Sequence, residues 1–599
     1  MKLSEVDRVK VITVSQKILS KYKQLQRALD VVEEGGSIQL EEGTYKGTYI
    51  IDKSITISGN GEKDAIIIEG SFEIKNHATF RLKNVTIQDG ETGIFVSDGS
   101  AELDNCDINR MSESALTIKK DSKAVLRDVI MQNNQHAIVS QGKASLLYCA
   151  LSKQKAVQII LHQGAQMKLK HSHIFQGMQE AVILEGASQM VLEDCSVYGH
   201  TGLKSQISVQ SSSKLSLISS RLYEGKYGGI EVDGGRLLMR DSELYRNNGH
   251  QIRLSDSTSV ISQSYIHSGD IGCHVLDGTN LRLEQTRLVA HLQAQINVQG
   301  GQLKAKQCSI LSGKGNGVLI AASGEAVISD SEIAGHFLPQ ICVSEQGNTI
   351  IERSSIHHGD HYGVWLTEQS SAAIFQSNIY SHQQIQVVVA EQSFLEMDTS
   401  SIYEGYENGL HFLEESKGQL THCEIYRHGE DYPQIIVRGA ADPVFKNCTV
   451  SESPSNAIWF LEEARGRIEQ CHFVSHGLAQ LEITDGSKPV IAQTTIMEGG
   501  HCAIQIREAG PYIEGCTFTD NEATILLEGN CPAEIIGDGA EALADFAENK
   551  RMEEERLSNL DDKTLERIQK ANDLAEKEAR TAEIVGLVEE LERRLGKGY

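Results

Sequence analysis

Six histidines are the residues of this chain whose type and spacing most clearly suggest chemistry, because each lies three positions after an apolar residue of a recurring pattern. They are His200, His291, His336, His382, His428 and His476. Glutamates recur two positions after the equivalent apolar residue, at Glu224, Glu404, Glu452 and Glu498. Imidazole and carboxylate groups can transfer protons, hydrogen-bond to a ligand or bind a metal ion. The ten side chains therefore form a candidate binding strip.

The pattern behind these residues is a repeat of about 23 residues. In each copy a small residue stands two positions before an apolar one, as Cys106 does before Ile108. Residues two apart in a strand face the same side, so both are expected to point inward. The small residue is a cysteine in eight copies: Cys106, Cys149, Cys195, Cys308, Cys423, Cys448, Cys471 and Cys516. Because Cys behaves as a small hydrophobe, we expect a buried ladder rather than disulfides.

Each repeat contains three short stretches with the alternation of a β-strand. Three short strands cannot enclose a core within one turn, so successive turns must stack on one another. The sequence therefore predicts an all-β solenoid of about 20 or more coils, and stacking at ~4.8 Å per strand makes it roughly 95 Å long.

The start of the repeat region carries a resemblance to a known family. Its segments are a predicted helix from Gln24 to Gly35 and the stretches 37–40, 42–45 and 55–61. Together with the repeat they resemble the pectin-lyase-like right-handed parallel β-helix superfamily, in particular its NosD-type repeats. The resemblance covers roughly residues 24–530 and implies a right-handed parallel β-helix whose open end is capped by a helix. Together with a change in composition near residue 540, it predicts an N-terminal segment and capping helix at 1–35, a right-handed parallel β-helix at 36–535 and a charged helical tail at 536–599.

Glutamine begins the second strand in alternate coils, so the true unit is a pair of coils of about 46 residues. The six histidines lie in the glutamine-bearing coils and should line one edge of the rod, with tyrosines such as Tyr223 and Tyr403 beside them. Three interpretations remain open: a structural polar ladder, a binding strip for an extended ligand or partner, and metal binding. The densest candidate metal cluster is His357, His358, Asp360 and His361, and no cofactor is predicted.

An enzymatic interpretation needs suitably placed acids or bases. Polysaccharide hydrolases of the resembling fold carry paired Asp residues, because glycosidic cleavage uses two carboxylates at a set separation. The sole Asp-Asp pair here is Asp561-Asp562, in the tail. The sequence therefore favours a non-catalytic binding or scaffold protein, and the alternative is a carbohydrate-active enzyme that resembles polysaccharide lyases or hydrolases.

The tail differs in composition from the rest of the chain. Residues 541–599 are rich in charged side chains, and Ile584, Leu587, Leu591 and Leu595 form an apolar stripe at helical spacing. This pattern predicts a helical hairpin or coiled coil, which either packs on the last coil or docks a protein partner. The stretch 584–587 also resembles the lead-in to AAA+ ATPase domains of the CbxX/CfqX type, which implies that the chain is a partner of such an ATPase.

Net charge limits the classes of ligand. The formal charge is −26 at pH 7, which disfavours nucleic acid and anionic membranes as partners. The N-terminal residues show no sustained apolar segment typical of a secretory signal, so we expect a cytoplasmic location.

Overall fold

The computed structural model describes residues 11–540, and it is a parallel β-solenoid. One sheet has 24 strands and takes one strand from each turn, whereas a second sheet of 42 short strands takes two from each turn over most of the rod. The described strands run from Val11–Val14 to Glu534–Ile536. The expected solenoid is thus confirmed. The predicted helices and partner-docking role of 541–599 lie outside the described residues and stay predictions.

A representative coil contains three strands with the turns between them. The long strand Glu325–Ser329 is followed by the short strands Glu332–Ala334 and Ile341–Val343. The long strand pairs in parallel register with Gln302–Lys306 on one side and Asn348–Glu352 on the other. We call the 24-stranded sheet the long-strand sheet and the 42-stranded sheet the short-strand sheet.

The coils that matter for the site follow the same plan. Their long strands are Asn280–Glu284, Gln302–Lys306, Glu325–Ser329, Asn348–Glu352, Ser371–Phe375, Phe394–Asp398 and Lys417–Thr421. Their first short strands are Arg287–Val289, Ser309–Leu311, Glu332–Ala334, Ser355–His357, Asn378–Tyr380, Ser401–Tyr403 and Glu424–Tyr426. Their second short strands are Ile296–Gln299, Val318–Ala321, Ile341–Val343, Val364–Leu366, Val387–Val389, Leu410–Phe412 and Ile435–Val437.

The core is one continuous apolar column along the rod axis. The apolar residue of each repeat is buried in nearly every coil, as at Ile108, Ile333 and Ile496. The eight ladder cysteines are buried beside these residues as free thiols, which confirms the predicted ladder. Burial raises the pKa of the Cys106 thiol to about 12, so it stays protonated at neutral pH.

A single left-handed residue turns the chain from each long strand into the next short strand. Asn105, Gln307 and Asp330 occupy this corner with φ of 50°, 53° and 51°. Such a conformation is unfavourable for most side chains, and Asn and Asp tolerate it best. The strain is offset because the corner amides bond to the next coil, as Asp330 N does to Glu352 O at 3.0 Å.

The N-terminal end differs from the predicted arrangement. Strand Val11–Val14 precedes the helix and pairs with Ser37–Glu41, so the solenoid begins before residue 36. The helix spans Leu25–Val31, shorter than expected, and buries Leu25, Ala28 and Leu29. A 3-10 turn spans Lys63–Ala65. Within residues 11–540, no helix is long and apolar enough to cross a membrane.

Candidate functional site

The six predicted strip histidines lie inside the rod. His291, His336 and His382 have no exposed surface, and the others are at most 4% exposed. The prediction that they line an accessible edge is therefore wrong. The cause is the preceding residue, since a left-handed residue such as Ala290 (φ 60°) or Ser381 (φ 58°) reverses the alternation of the strand and turns the histidine inward.

Five of the six buried histidines are hydrogen-bonded to the glutamine of their own coil, whereas His428 Nδ1 accepts a hydrogen bond from Gly405 N at 3.1 Å. His336 Nδ1 lies 2.6 Å from Gln340 Oε1, and His382 Nδ1 lies 2.7 Å from Gln386 Oε1. Toward both ends of the rod the glutamine amide also reaches a histidine two coils further on. Gln158 Nε2 lies 2.8 Å from His200 Nε2. The glutamines and histidines thus form an internal polar spine, which is the structural ladder among the interpretations of the sequence.

Glycines in the intervening coils leave room for this spine. A Cβ on Gly313 would lie 2.2 Å from Gln295 Nε2, and one on Gly359 would lie 2.0 Å from Gln340 Nε2. These glycines occupy the same place in their coils as the histidines do in theirs, three positions after the apolar residue. That alternation of Gly and His was the sequence signal for an interior position.

Burial also determines the protonation of the spine. It lowers the pKa of His200, His291, His336, His382 and His476 from 6.5 to about 4, and that of His428 to about 3. The hydrogen bond that the imidazole donates to the glutamine oxygen opposes this lowering of the pKa without overcoming it, and in His428 a backbone hydrogen bond to Ile402 has the same effect. The histidines of the spine are therefore neutral at pH 7, and their burial keeps them from contacting ligands in solution.

The four predicted strip glutamates are exposed, in contrast to the histidines. Glu224, Glu404, Glu452 and Glu498 stand in left-handed turn positions on the surface. Arg427 bonds to Glu452 and lies 3.8 Å from Glu404. The ten residues therefore do not form one strip, and a binding role for the glutamates stays a prediction.

Tyrosines form two stacked columns on the outer side of the short-strand sheet. Tyr198, Tyr223 and Tyr245 stack with ring centroids 4.8 Å apart and planes 4° apart. Tyr403 likewise stacks between Tyr380 and Tyr426, at 4.8 and 5.1 Å. Between the two columns the same register position is held by His267, Val289, Leu311, Ala334 and His357, so three successive coils lack an aromatic ring there.

Two open grooves lie along this outer side. The first, of about 790 Å³, is lined at its ends by Arg287 and Tyr380 and between them by Glu332, Arg353 and His357. The second, of about 620 Å³, is lined by His358, Glu404, Tyr406 and Arg427 among others. The neighbours His357 and His358 each line one groove, so the two grooves adjoin at this pair.

A chain of polar contacts runs through this junction. His357 Nε2 lies 3.3 Å from Glu332 Oε1, and His357 Nδ1 lies 2.8 Å from His358 Nδ1. The His357 ring also stacks on Tyr380 at 4.8 Å. We call Glu332, His357, His358 and Tyr380 the junction cluster.

Burial and charged neighbours shift the pKa values of side chains in and beside the junction cluster. Partial burial, followed by the neighbouring His358, lowers the pKa of His357, although Glu332 opposes the shift. Burial and the carboxylates of Glu332 and Glu404 raise the pKa of Tyr380, which keeps the phenol protonated. Arg353 holds Asp330 in a two-point ion pair and lowers its pKa.

The predicted metal cluster is brought together only in part. His357 and His358 are in contact, whereas His361 packs its ring on Tyr362 at 4.2 Å. Over residues 11–540, no three His, Cys, Asp or Glu side chains converge as metal ligands would. The pair is therefore better described as a hydrogen-bonded relay.

Comparison with known proteins places the fold. A family model described as a right handed beta helix region matches residues 64–205, 114–234, 205–302, 294–431 and 387–538. The comparison with curated proteins gave no match.

Similar solved structures include two alginate lyases and an alginate epimerase. An alginate lyase from Paenibacillus sp. str. FPU-7 is 14% identical, with 43% of this chain and 95% of that chain covered and a TM-score of 0.29. The alginate lyase AlyGC is 8% identical, with 88% and 100% covered and a TM-score of 0.26. The periplasmic alginate epimerase AlgG is 11% identical, with 66% and 77% covered and a TM-score of 0.20.

The prediction of a non-catalytic scaffold is contradicted by these comparisons, because the similar structures are alginate lyases and an alginate epimerase. They agree better with the alternative that the sequence left open, a carbohydrate-active enzyme. At such identities the likeness shows the fold alone, so an activity has to follow from this chain's own side chains.

The neutral spine predicts acid sensitivity. The folded pKa of each spine histidine lies below its unfolded value of 6.5, so the unfolded chain binds more protons, and stability falls as the pH drops from about 6.5 toward 4. His336→Gln removes one such group, and we expect roughly 3 kcal/mol less loss over this range. Urea unfolding at several pH values measures it, with the exposed His472→Gln as control. Equal pH dependence in both variants would contradict the assignment.

The glycines of the spine predict a packing conflict. Gly313→Ala places a Cβ against the Gln295 amide, and we expect a loss of about 1 to 3 kcal/mol in the free energy of unfolding. In a Gln295→Ala background the same substitution should cost much less, because the obstructing side chain is gone. Thermal unfolding of the four proteins tests this. An equal cost in both backgrounds would show that the conflict does not exist.

Proposed function

Because the chain belongs to the family of right-handed β-helix proteins, we propose that it is a carbohydrate-active protein that acts on a glycan at the junction cluster. One observation carries the proposal: the Glu332–His357–His358 chain ends beside Tyr380 where two surface grooves adjoin. An extended polymer fits such a site because the grooves follow the rod axis on both sides of it.

The chain of contacts supports a base at His358. If His357 Nε2–H donates to Glu332, its Nδ1 carries a lone pair and accepts a hydrogen bond from His358 Nδ1–H. His358 Nε2 is then left unprotonated on an exposed ring. This is the arrangement of a base oriented by a second group, which is itself oriented by a carboxylate.

The chemistry that fits best is proton abstraction rather than hydrolysis. Hydrolysis needs two carboxylates on either side of the glycosidic bond, but Asp330 is bound to Arg353 and Glu332 to His357. An imidazole base can take a sugar proton from the carbon next to a carboxylate once a cation has neutralised that carboxylate. His358 takes this proton, and the protonated Tyr380 phenol, which lies edge-on to His358 at 5.8 Å between centroids, returns one. That proton goes to the leaving glycosidic oxygen as its C–O bond breaks, or to the opposite face of the carbon in an epimerisation.

The surfaces beyond the cluster support binding of a chain of sugars. Tyr403 and Tyr426 continue the aromatic column from Tyr380, and because the ring faces are stacked on one another, the column presents ring edges and hydroxyl groups that can hydrogen-bond to sugar hydroxyls. Arg287 lines the first groove at the end away from the cluster and offers a cation to a carboxylate of an acidic glycan.

We also propose that helix Leu25–Val31 caps the first coils. Its buried residues Leu25, Ala28 and Leu29 cover apolar side chains that no preceding coil protects. Covering an end in this way prevents edge-to-edge pairing between rods.

The proposal predicts an activity that depends on His358. Incubation with a panel of polyuronates should give either unsaturated chain ends, seen by ultraviolet absorption, or inverted uronate centres, seen by nuclear magnetic resonance. We expect His358→Gln to lower the rate at least 100-fold, within the range of a lost general base. Tyr380→Phe should also lower it, and His357→Gln should shift the pH profile.

His472→Gln is the matched control, since that histidine is also exposed on a first short strand but lies several coils away. An active protein whose rate is unchanged by His358→Gln would disprove the role of the base. A folded protein that acts on none of the glycans and binds none of them would disprove the function.

A further inference from the structure

The outer side of the long-strand sheet carries many positively charged side chains, although the chain as a whole has a net negative charge. Over nine strands, from Lys123–Arg127 to Gln302–Lys306, the outward positions hold eleven basic and two acidic residues. The basic residues are Lys123, Arg127, Lys143, Lys168, Lys170, Lys214, Arg236, Arg240, Arg282, Lys304 and Lys306. The acidic ones are Glu193 and Glu284. We call this area the basic face.

Several of these side chains oppose one another directly. Lys123 pairs in register with Lys143, and Lys214 pairs in register with Arg236. Adjacent strands are ~4.8 Å apart, and like charges at that separation destabilise a sheet. Four of the eleven basic residues are ion-paired: Lys168 and Lys170 with Glu193, Arg240 with Asp241 at 3.2 Å, and Arg282 with Glu284. The like charges of the basic face therefore destabilise the sheet unless a negatively charged partner offsets them.

The basic face is broad and carries apolar side chains among the charges. Nine strands at ~4.8 Å and five residues at ~3.3 Å make an area of roughly 38 by 13 Å. Val125 and Leu238 stand in its central row, 48% and 37% exposed. The charges are spread over all three outward rows instead of following one line, which fits a flat partner better than a single polymer chain.

The strands that follow in the same sheet carry more acidic than basic residues on their outward positions. From Glu325 to Lys446 the outward positions hold five acidic residues and two basic ones. Acidic residues also edge the basic face in the turns, such as Asp128, Asp194 and Asp277, with Lys119 and Lys120 among them. Charges beyond a Debye length of about 8 Å are screened at physiological salt, so the remote acidic surface does not cancel the basic face.

We propose that the basic face docks the rod side-on to an anionic lipid surface, as a peripheral contact that spans nothing. Long Lys and Arg side chains reach the headgroups while their stems and the neighbouring Val125 and Leu238 contact the interface. This revises the expectation from net charge alone that anionic membranes are excluded, because the charge is segregated on the rod. The inference is independent of the glycan-directed function.

Vesicle sedimentation tests the proposal. The full chain is mixed with vesicles of phosphatidylcholine alone or with added phosphatidylserine, at low and high salt. We expect binding only with phosphatidylserine, weakened by salt. Lys123→Gln with Lys143→Gln should lower the affinity on the order of tenfold. Because these changes remove a like-charge pair, thermal stability should not fall.

Lys417→Gln with Lys446→Gln is the matched control, because it removes the same charge from the same sheet outside the basic face. An equal loss in both double variants would overturn the proposal, as would binding that ignores phosphatidylserine. Binding to soluble polygalacturonate without binding to vesicles would also overturn it, and would identify the face as a polymer-binding surface.

Discussion

The in-register stacking of parallel strands is the constraint on which the structure depends. Each strand pairs residue for residue with the equivalent strands one coil before and after it, as Ile333 does with Ile310 and Ile356. A side chain in any row therefore has its counterparts ~4.8 Å above and below. Rows favour residues that tolerate such neighbours, which explains the buried thiols and the stacked tyrosines. A residue that does not suit its row has to be offset by a contact with another coil.

The two-coil period follows from one such contact. A glutamine side chain is long enough to pass the next coil and meet a histidine in the coil beyond, as Gln158 meets His200 at 2.8 Å. The coil that it passes carries Gly177 at that place, where a Cβ would lie 2.8 Å from Gln158 Nε2. Buried polar groups are costly unless they are hydrogen-bonded, so the glutamine, the glycine and the histidine depend on one another. The unit of duplication is therefore the pair of coils that contains all three.

The sequence was sufficient for the fold because inward positions repeat with a period of two along each strand and about 23 along the chain. The cysteine row and the tyrosine columns followed directly from that periodicity. The inward orientation of the His336 side chain could not be predicted in this way, because it depends on the left-handed conformation of Gly335 and not on the strand pattern. The contact between Glu332 and His357 also escaped, since residues 25 apart meet only once the register is known. The separation of Lys143 and Arg236 from the acidic surface could be recognised only once the structure showed which side chains face outward on the long-strand sheet.

Function in such a rod is expected where the repeat is interrupted. A perfect row offers the same environment at every coil, so it cannot by itself select one position along the axis. The tyrosine column is interrupted by Val289, Leu311 and Ala334 and resumes at His357 and Tyr380. The interruption ends at an aromatic edge, where His357 stacks on Tyr380, and the histidine pair stands at that edge. The position of the histidine pair therefore differs from the neighbouring coils in shape and in the proton affinity of its side chains. The uninterrupted rows of the interior provide no such difference between coils.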